Sequence, residues 1–225
     1  MFDLSQPAFL FQIIAFLLAL TFHEFAHALA ADRLGDPTPR VQGRLTLNPI
    51  AHIDLFGTIL LPLFLLLTRA PILFGWAKPV MFDPYNLANP RRDAAIISFA
   101  GPLANLILAA VSAILLNTTL FYGLGQFQEV GGGLLSEFLY QFVILNVVLA
   151  IFNLVPIHPL DGGKILVGLL PEDVADQWDR ILRQYGTFIL LFLIFPIFGG
   201  QAIVWSIIGP TISFILGMLL PGGLI

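Results

Sequence analysis

The chain alternates between long uncharged apolar runs and short polar segments, and the lengths of the runs predict its helices. A helix needs about 20 mostly apolar residues to cross the roughly 30 Å hydrocarbon core of a bilayer. The runs of that length predict three core spans, at about 8–31, 94–118 and 135–157. The uncharged C-terminal tail has room for two more spans, at about 182–198 and 202–220, with Gly199–Gln201 as the turn.

The segment 55–68 is apolar but too short for an ordinary span. It has 14 residues between two charged residues and contains a proline. These features favour a re-entrant or interfacial piece over a membrane-crossing helix. The polar tract around it also contains two candidate short strands, at about 41–47 and 78–82.

Composition strengthens this interpretation. Of the 225 residues, 58% are hydrophobic and 11% are charged, whereas a soluble domain has about 45–50% apolar and about 25% charged residues. A soluble, disordered or nucleic-acid-binding chain is therefore excluded, and the absence of cysteine excludes disulfides and thiolate metal sites. We predict an all-α polytopic membrane protein forming one domain, 1–225. It has a three-helix core, two C-terminal spans, and a re-entrant, short β-containing segment between the first two core spans.

The ten Lys and Arg residues predict the orientation of the chain. If 55–68 does not cross the membrane, all ten lie on one side, and Lys and Arg favour cytoplasmic loops. We therefore expect a multi-pass plasma-membrane protein with an extracytoplasmic N-terminus.

The candidate chemistry begins with His23-Glu24-Phe25-Ala26-His27 at the end of the first span. Positions i and i+4 of a helix share one face, so two imidazoles in this register can bind one Zn²⁺. Glu24 lies beside them and can take a proton from a water held by the metal. The alternative is that these residues only mark the end of a helix at the lipid headgroups.

A catalytic zinc needs a third protein ligand, and Asp161 is the strongest candidate. It follows the third span in a stretch rich in proline and glycine, where irregular backbone at membrane depth indicates a protein-lined or wet cavity. The alternative for Asp161 is an N-cap of the helix that follows it. His52 and His158 are weaker candidates. If 55–68 does not cross, Asp161 and His27 lie at the same membrane face, as a shared metal requires.

Three motifs in this order resemble the site-2 protease family of intramembrane zinc metalloproteases, in a short prokaryotic branch without a PDZ or CBS domain. They are the His-Glu-x-x-His motif at 23–27, Ala-Gly-Pro-Leu-Ala-Asn at 100–105, and Asn-Leu-Val-Pro-Ile-His-Pro-Leu-Asp-Gly-Gly at 153–163.

The resemblance implies roles for the residues that match these motifs. It implies one Zn²⁺ per chain held by His23, His27 and Asp161, with Glu24 activating the water. It also implies that Asn153 handles the substrate, a transmembrane protein in the lipid bilayer. The distribution of positive charge predicts that the active site lies toward the cytoplasmic side. Asn105 is a further candidate for substrate binding, with helix packing through a hydrogen bond as its alternative.

Two other functions remain open on these residues. A metal-ion transporter could use the same three ligands, although a transport site has no use for Glu24 between the histidines, and the chain shows no inverted repeat. A catalytically inactive scaffold is the third hypothesis, although all three candidate ligands and the candidate base are present. The resemblance favours the protease.

Overall fold

The computed structural model describes residues 7–68, 75–121, 132–195 and 202–220, which are predominantly helical. The α-helices are, in chain order, α1 (Pro7–Arg33), α2 (Thr38–Val41), α3 (Leu61–Leu67), α4 (Pro90–Phe121), α5 (Gly132–Asn153), α6 (Asp161–Leu169), α7 (Glu172–Ile194) and α8 (Ile203–Leu219). Shorter helical turns cover Pro49–His52, Leu55–Leu60 and Pro84–Asn86.

Three of the described helices are long and apolar enough to cross a membrane, as the sequence predicts. The segments are Leu10–Arg33, Pro90–Thr118 and Gly133–Asn153. The third helix ends at Asn153 rather than at 157, because the backbone before Pro156 is biased away from the helical conformation.

Contacts among α1, α4 and α5 fix their relative directions. Near the two N-terminal ends, the ring of Phe11 on α1 lies 6.3 Å from that of Phe138 on α5. Near the C-terminal end of α1, His27 bonds to the carbonyl of Ile97 early in α4. Thus α1 and α5 run parallel and α4 runs antiparallel to both. The segment 34–89 consequently begins and ends at one end of the bundle.

The core extends from this trio to α8. Every fourth residue of α8 is buried, which places one apolar stripe against α4 and α5 (Val204, Ile208, Ile212 and Leu216). On α4, the small residues Ala109 and Ala113 face this cluster and allow the backbones to approach closely.

The two predicted strands do not form. Residue 41 ends α2, and Gly43, with φ of 69°, continues into a turn in which the Arg44 N–H bonds to the Pro39 carbonyl. The 78–82 segment is irregular, and the Lys78 N–H donates to the His52 carbonyl. Local turns and contacts with non-strand residues take the backbone groups that a β-ladder would need.

The other predicted segments lie as follows. Residues 55–67 form one continuous short helical stretch, whose first turn is capped by Asp54. The helix α7 begins at Glu172, ten residues before the predicted span at 182–198, because a helix can continue through a polar segment that cannot enter lipid. The predicted turn at 199–201 lies outside the described residues, and α8 coincides closely with the predicted 202–220.

Candidate metal centre

Three side chains meet where the ends of α1 and α5 approach α6. The Nε2 atoms of His23 and His27 lie 3.1 Å apart. The Oδ2 atom of Asp161 is 3.1 Å from the first and 3.2 Å from the second. These three potential ligand atoms form a nearly equilateral triangle that could hold one metal ion.

Local sequence explains how each side chain reaches this point. The two histidines are one turn apart on one face of α1. Asp161 is the first residue of α6, and that helix has no side-chain cap hydrogen bond, so the N-cap alternative for Asp161 is wrong. Side chains at Gly162 and Gly163 would overlap with the backbone of 154–158, so glycine is required for α6 to begin this close to the irregular segment.

The triangle fits zinc. A tetrahedral zinc ion with bonds of about 2.0–2.1 Å holds its ligand atoms about 3.3–3.4 Å apart, close to the separations of 3.1 and 3.2 Å found here. Two imidazoles and one carboxylate are also the ligand types of a catalytic site, which keeps its fourth position for water.

Hydrogen bonds on the far side of each imidazole leave its Nε2 atom for the metal. The Nδ1–H of His27 donates to the Ile97 carbonyl at 2.7 Å. The Nδ1–H of His23 donates to the Oδ1 atom of Asn105 at 2.6 Å. Such partners fix the tautomer and ring orientation of metal-binding histidines.

The site is buried, and its histidines favour the ionised form of Asp161. The exposed fractions are 3% for His23 and 7% for His27. Burial by itself would raise the pKa of Asp161, but the adjacent His27 and His23 outweigh it and lower the pKa below its usual range. The ionised carboxylate is the form that binds a metal.

Glu24 is also buried, with 8% of its surface exposed. Its Oε2 atom accepts a hydrogen bond of 3.0 Å from the backbone N–H of Val80. The irregular segment 75–83 therefore passes directly beside the candidate base.

Gly101 allows α4 to pack against the histidines. A side chain at this position would overlap with the imidazoles of both His27 and His23. The neighbouring Pro102 lies inside α4 and cannot donate to the Ser98 carbonyl, so the helix ladder is interrupted next to the Ile97 carbonyl that His27 uses.

The remaining predicted residues lie at different distances from this centre. Asn105 is fully buried and contacts His23. Asn153 is at the end of α5, where its amide donates to the Leu149 carbonyl one turn earlier. His52 bonds to the Thr46 carbonyl. His158 lies 3.5 Å from Asp179 on α7, and burial lowers its pKa. It is not part of the triangle.

Three contributors escaped the sequence reading: Gly101, Val80 and Asn146. Gly101 lies in the motif at 100–105 and Val80 in the predicted strand at 78–82, but neither pattern indicates what that residue itself does. Asn146 carries a clearer signal, because it is a polar residue in the middle of an apolar helix, where polar side chains are usually functional. Val80 acts through its backbone, and the role of Gly101 depends on a neighbour more than 70 positions away.

Comparison with known proteins agrees with this site. Residues 11–195 match peptidase family M50. The Bacillus subtilis (strain 168) protein named "Putative zinc metalloprotease YwhC" is 38% identical over 196 residues, which cover 87% of this chain and 84% of that protein. No solved structure matches the chain.

More distant relatives carry the same kind of name. The protein named "Putative zinc metalloprotease Rip2" in Mycolicibacterium smegmatis is 30% identical over 189 residues, covering 83% of this chain and 67% of that protein. Its Mycobacterium tuberculosis (strain H37Rv) counterpart is 30% identical over 186 residues, covering 83% and 66%. The chain therefore belongs to peptidase family M50, the site-2 proteases, and is a zinc metalloprotease.

Proposed function

We propose that this protease hydrolyses peptide bonds within or near the transmembrane helices of other membrane proteins. In this proposal His23, His27 and Asp161 hold the zinc ion, Glu24 is the general base, and residues 1–225 act as one membrane-embedded domain. The observation that carries the proposal is the buried triangle of ligand atoms, which lies among three helices of membrane-spanning length.

The chemistry assigned to each group follows from its position. When bound, zinc polarises the scissile carbonyl and makes a water molecule acidic enough to lose a proton near neutral pH. Glu24 takes that proton, and the water oxygen bonds to the carbonyl carbon. Glu24 then gives the proton to the departing amine as the C–N bond breaks. The Val80 N–H holds Oε2 of Glu24, which leaves Oε1 to carry the proton.

A substrate must expose its backbone before it can be cut, because a helical peptide bond is shielded and internally hydrogen-bonded. We propose that an unwound substrate segment pairs with the 78–82 segment, although that segment is not itself a strand. Lys78 and Val80 both donate inward, to His52 and Glu24, and this every-second-residue pattern is that of extended chain. The backbone groups of Pro79 and Met81 then point outward. Since proline has no N–H, Met81 is the donor we assign to the substrate. Asn153 is a second residue that we assign to substrate binding, on the basis of its motif.

Cleavage is tested with purified protein in liposomes and a single-span substrate tagged at both ends. We expect zinc-dependent cleavage within the apolar segment, located by mass spectrometry, and its loss on chelation. Glu24→Gln should retain zinc but lower the rate by about 10²-fold or more. The matched control is Asp32→Asn, which removes a partly buried carboxylate of the same helix that is paired with the exposed Arg40.

The outcomes separate the possible functions. Undiminished cleavage by Glu24→Gln would contradict the general-base role. Full zinc occupancy in Asp161→Ala would remove Asp161 from the ligand set. Cation uptake into the liposomes without proteolysis would favour a transporter.

We propose further that the metal centre faces the cytoplasm of a plasma-membrane protein and that 55–68 does not cross the bilayer. The chain has no cysteine, so single cysteines can be labelled selectively. Tyr85→Cys, at a residue with 97% of its surface exposed, should react with impermeant reagents only from the cytoplasmic side. Gly133→Cys, at the opposite end of the bundle, should react only from outside. The reverse pattern would contradict the orientation.

A further inference from the structure

A buried pair of asparagines lies behind one of the three metal-facing side chains. Asn146 is in the middle of α5 and Asn105 is on α4, and both are fully buried. Polar side chains at such positions are costly in a membrane protein and are usually functional. Neither side chain belongs to the ligand triangle, so their purpose must be sought in what they contact.

The hydrogen bonds of Asn105 form a directed set. Its Nδ2 donates to the Ala19 carbonyl at 3.0 Å and to Oδ1 of Asn146 at 2.8 Å. Its Oδ1 accepts from Nδ1 of His23 at 2.6 Å. A flipped Asn105 amide would present oxygen to two oxygen acceptors and nitrogen to the His23 N–H. The network thus permits one orientation of this amide.

Asn146 is held in the same way. Its Nδ2 donates to the Phe142 carbonyl one turn earlier at 2.8 Å, so its Oδ1 must face Asn105. The Phe142 carbonyl therefore fixes the orientation of the Asn146 amide, which fixes that of Asn105, which in turn accepts the hydrogen bond from His23. The end result is a proton on Nδ1 of His23, which leaves Nε2 without a proton and available to bind a metal ion.

We propose that Asn146 and Asn105 are positioning residues that fix the tautomer and orientation of His23 as a zinc ligand, with Asn146 acting through Asn105. This inference rests on the proposed assignment of His23 to zinc. The Nδ1–H of His27 donates instead to a backbone carbonyl, that of Ile97, which fixes the tautomer of His27 in the same way. Among the described residues, only the His23 half of the histidine pair therefore depends on side chains behind the ligand.

Zinc affinity is the direct test, because it does not depend on catalysis. Dissociation constants are measured by chelator competition on the purified full chain in detergent. Loss of a partner behind a ligating histidine weakens metal binding about 10–100-fold. We expect that range for Asn105→Leu and a smaller weakening, of several-fold or more, for Asn146→Leu.

A double-mutant cycle distinguishes positioning from general packing. If Asn146 acts through Asn105, the double variant should bind zinc no more weakly than Asn105→Leu alone. Once Asn105 is replaced, Asn146 has no amide through which to orient His23. The control is Thr21→Val, which removes another buried polar group. Within the described part of the chain the Thr21 hydroxyl donates to the Leu17 carbonyl of its own helix, so its loss should leave the zinc affinity unchanged. Asn146→Ala gives the same comparison if Asn146→Leu does not fold.

Each result bears on the inference. Unchanged zinc affinity in a folded Asn146 variant, or additive losses in the double variant, would overturn it. His23→Ala separates this failure from a failure of the proposed function. If His23→Ala keeps full zinc affinity, the ligand assignment itself is wrong. If it loses zinc while the asparagine variants do not, only the positioning role is wrong.

Discussion

Asp36→Asn should release the segment that passes beside Glu24. Asp36 is fully buried just beyond α1. Its carboxylate accepts hydrogen bonds from the Thr38 N–H and hydroxyl, from the Asn86 side chain at 2.8 Å and from the Asp83 N–H at 2.7 Å. It therefore connects the end of α1 to the segment that carries Val80.

The magnitude follows from the count of these bonds. An asparagine supplies one acceptor oxygen, so its NH₂ group must face at least one buried donor. Leaving that donor unsatisfied costs about 1–3 kcal/mol. The remaining bonds also lose the strengthening that a charged acceptor gives, whereas the relief of burying a charge offsets part of this loss. We expect a net local destabilisation of about 2–4 kcal/mol.

Hydrogen exchange measured by mass spectrometry is the suitable assay. A change of about 2–4 kcal/mol corresponds to exchange about 30–1000-fold faster in 77–87, if that segment opens locally. The rate at which the enzyme cleaves its substrate should fall as well, because the Val80 N–H no longer holds the Glu24 carboxylate. The matched control is Asp32→Asn, the same charge change four residues upstream. Asp32 pairs with the exposed Arg40 and has no hydrogen bond to 77–87 among those described, so this variant should leave exchange unaltered. Equal exchange in the two variants would refute the reasoning.

Three further predictions follow from single contacts. Gly101→Ala should weaken zinc binding more than about 10-fold because the new methyl group overlaps with both imidazoles, whereas Gly209→Ala, which has open space at that position, should bind zinc normally in metal analysis. Gly186→Ala should lower the free energy of unfolding by about 1–3 kcal/mol, because the new methyl group overlaps with the backbone of His158. Thermal melts measure this, and an unchanged melting temperature would contradict it. The hydrogen bonds to Asp36 outweigh burial and lower its pKa. The stabilisation that ionised Asp36 gives to 77–87 should therefore be complete above about pH 4 and be lost as the pH falls further. Hydrogen exchange of 77–87 should accelerate in acid in the native protein, and Asp36→Asn should lack this acid step.

The helices that carry the site could be predicted from the sequence because lipid imposes a length on apolar runs. The same reasoning does not give the start of α7, since it measures how far an apolar run extends and not how far a helix does. Glu172 and Asp173 in the first turn of α7 favour a helix start there, well before the uncharged run begins. The predicted strands were wrong because prolines and a glycine close local turns in that tract.

The convergence of His23, His27 and Asp161 was predictable for a different reason. A metal needs several ligands within a few ångströms, so a sequence with few ionisable groups at membrane depth leaves few combinations. The hydrogen-bond partners of the ligands, such as Asn105, do not have to converge on one point in this way. Any of several polar residues could face His23, and only the packing of α4 between α1 and α5 selects Asn105. Contacts of this kind depend on helix rotation, which apolar helices do not reveal in their pattern.

The distribution of positive charge and the requirement for a shared metal were two separate arguments for a non-crossing 55–68, and contacts between distant segments provide a third. The ammonium of Lys164 on α6 lies 5.1 Å from the ring centre of Phe82, and Arg91 lies 3.9 Å from Glu172. These contacts join the segment before α4 to the segments after α5, at the end of the bundle that holds the triangle. A full crossing by 55–68 would require a second crossing before Phe82, and only the few residues of 69–81 are available for it. Because about 20 residues are needed for one helical crossing, these contacts support the proposal that 55–68 does not cross and that the cations around the metal centre lie on one face.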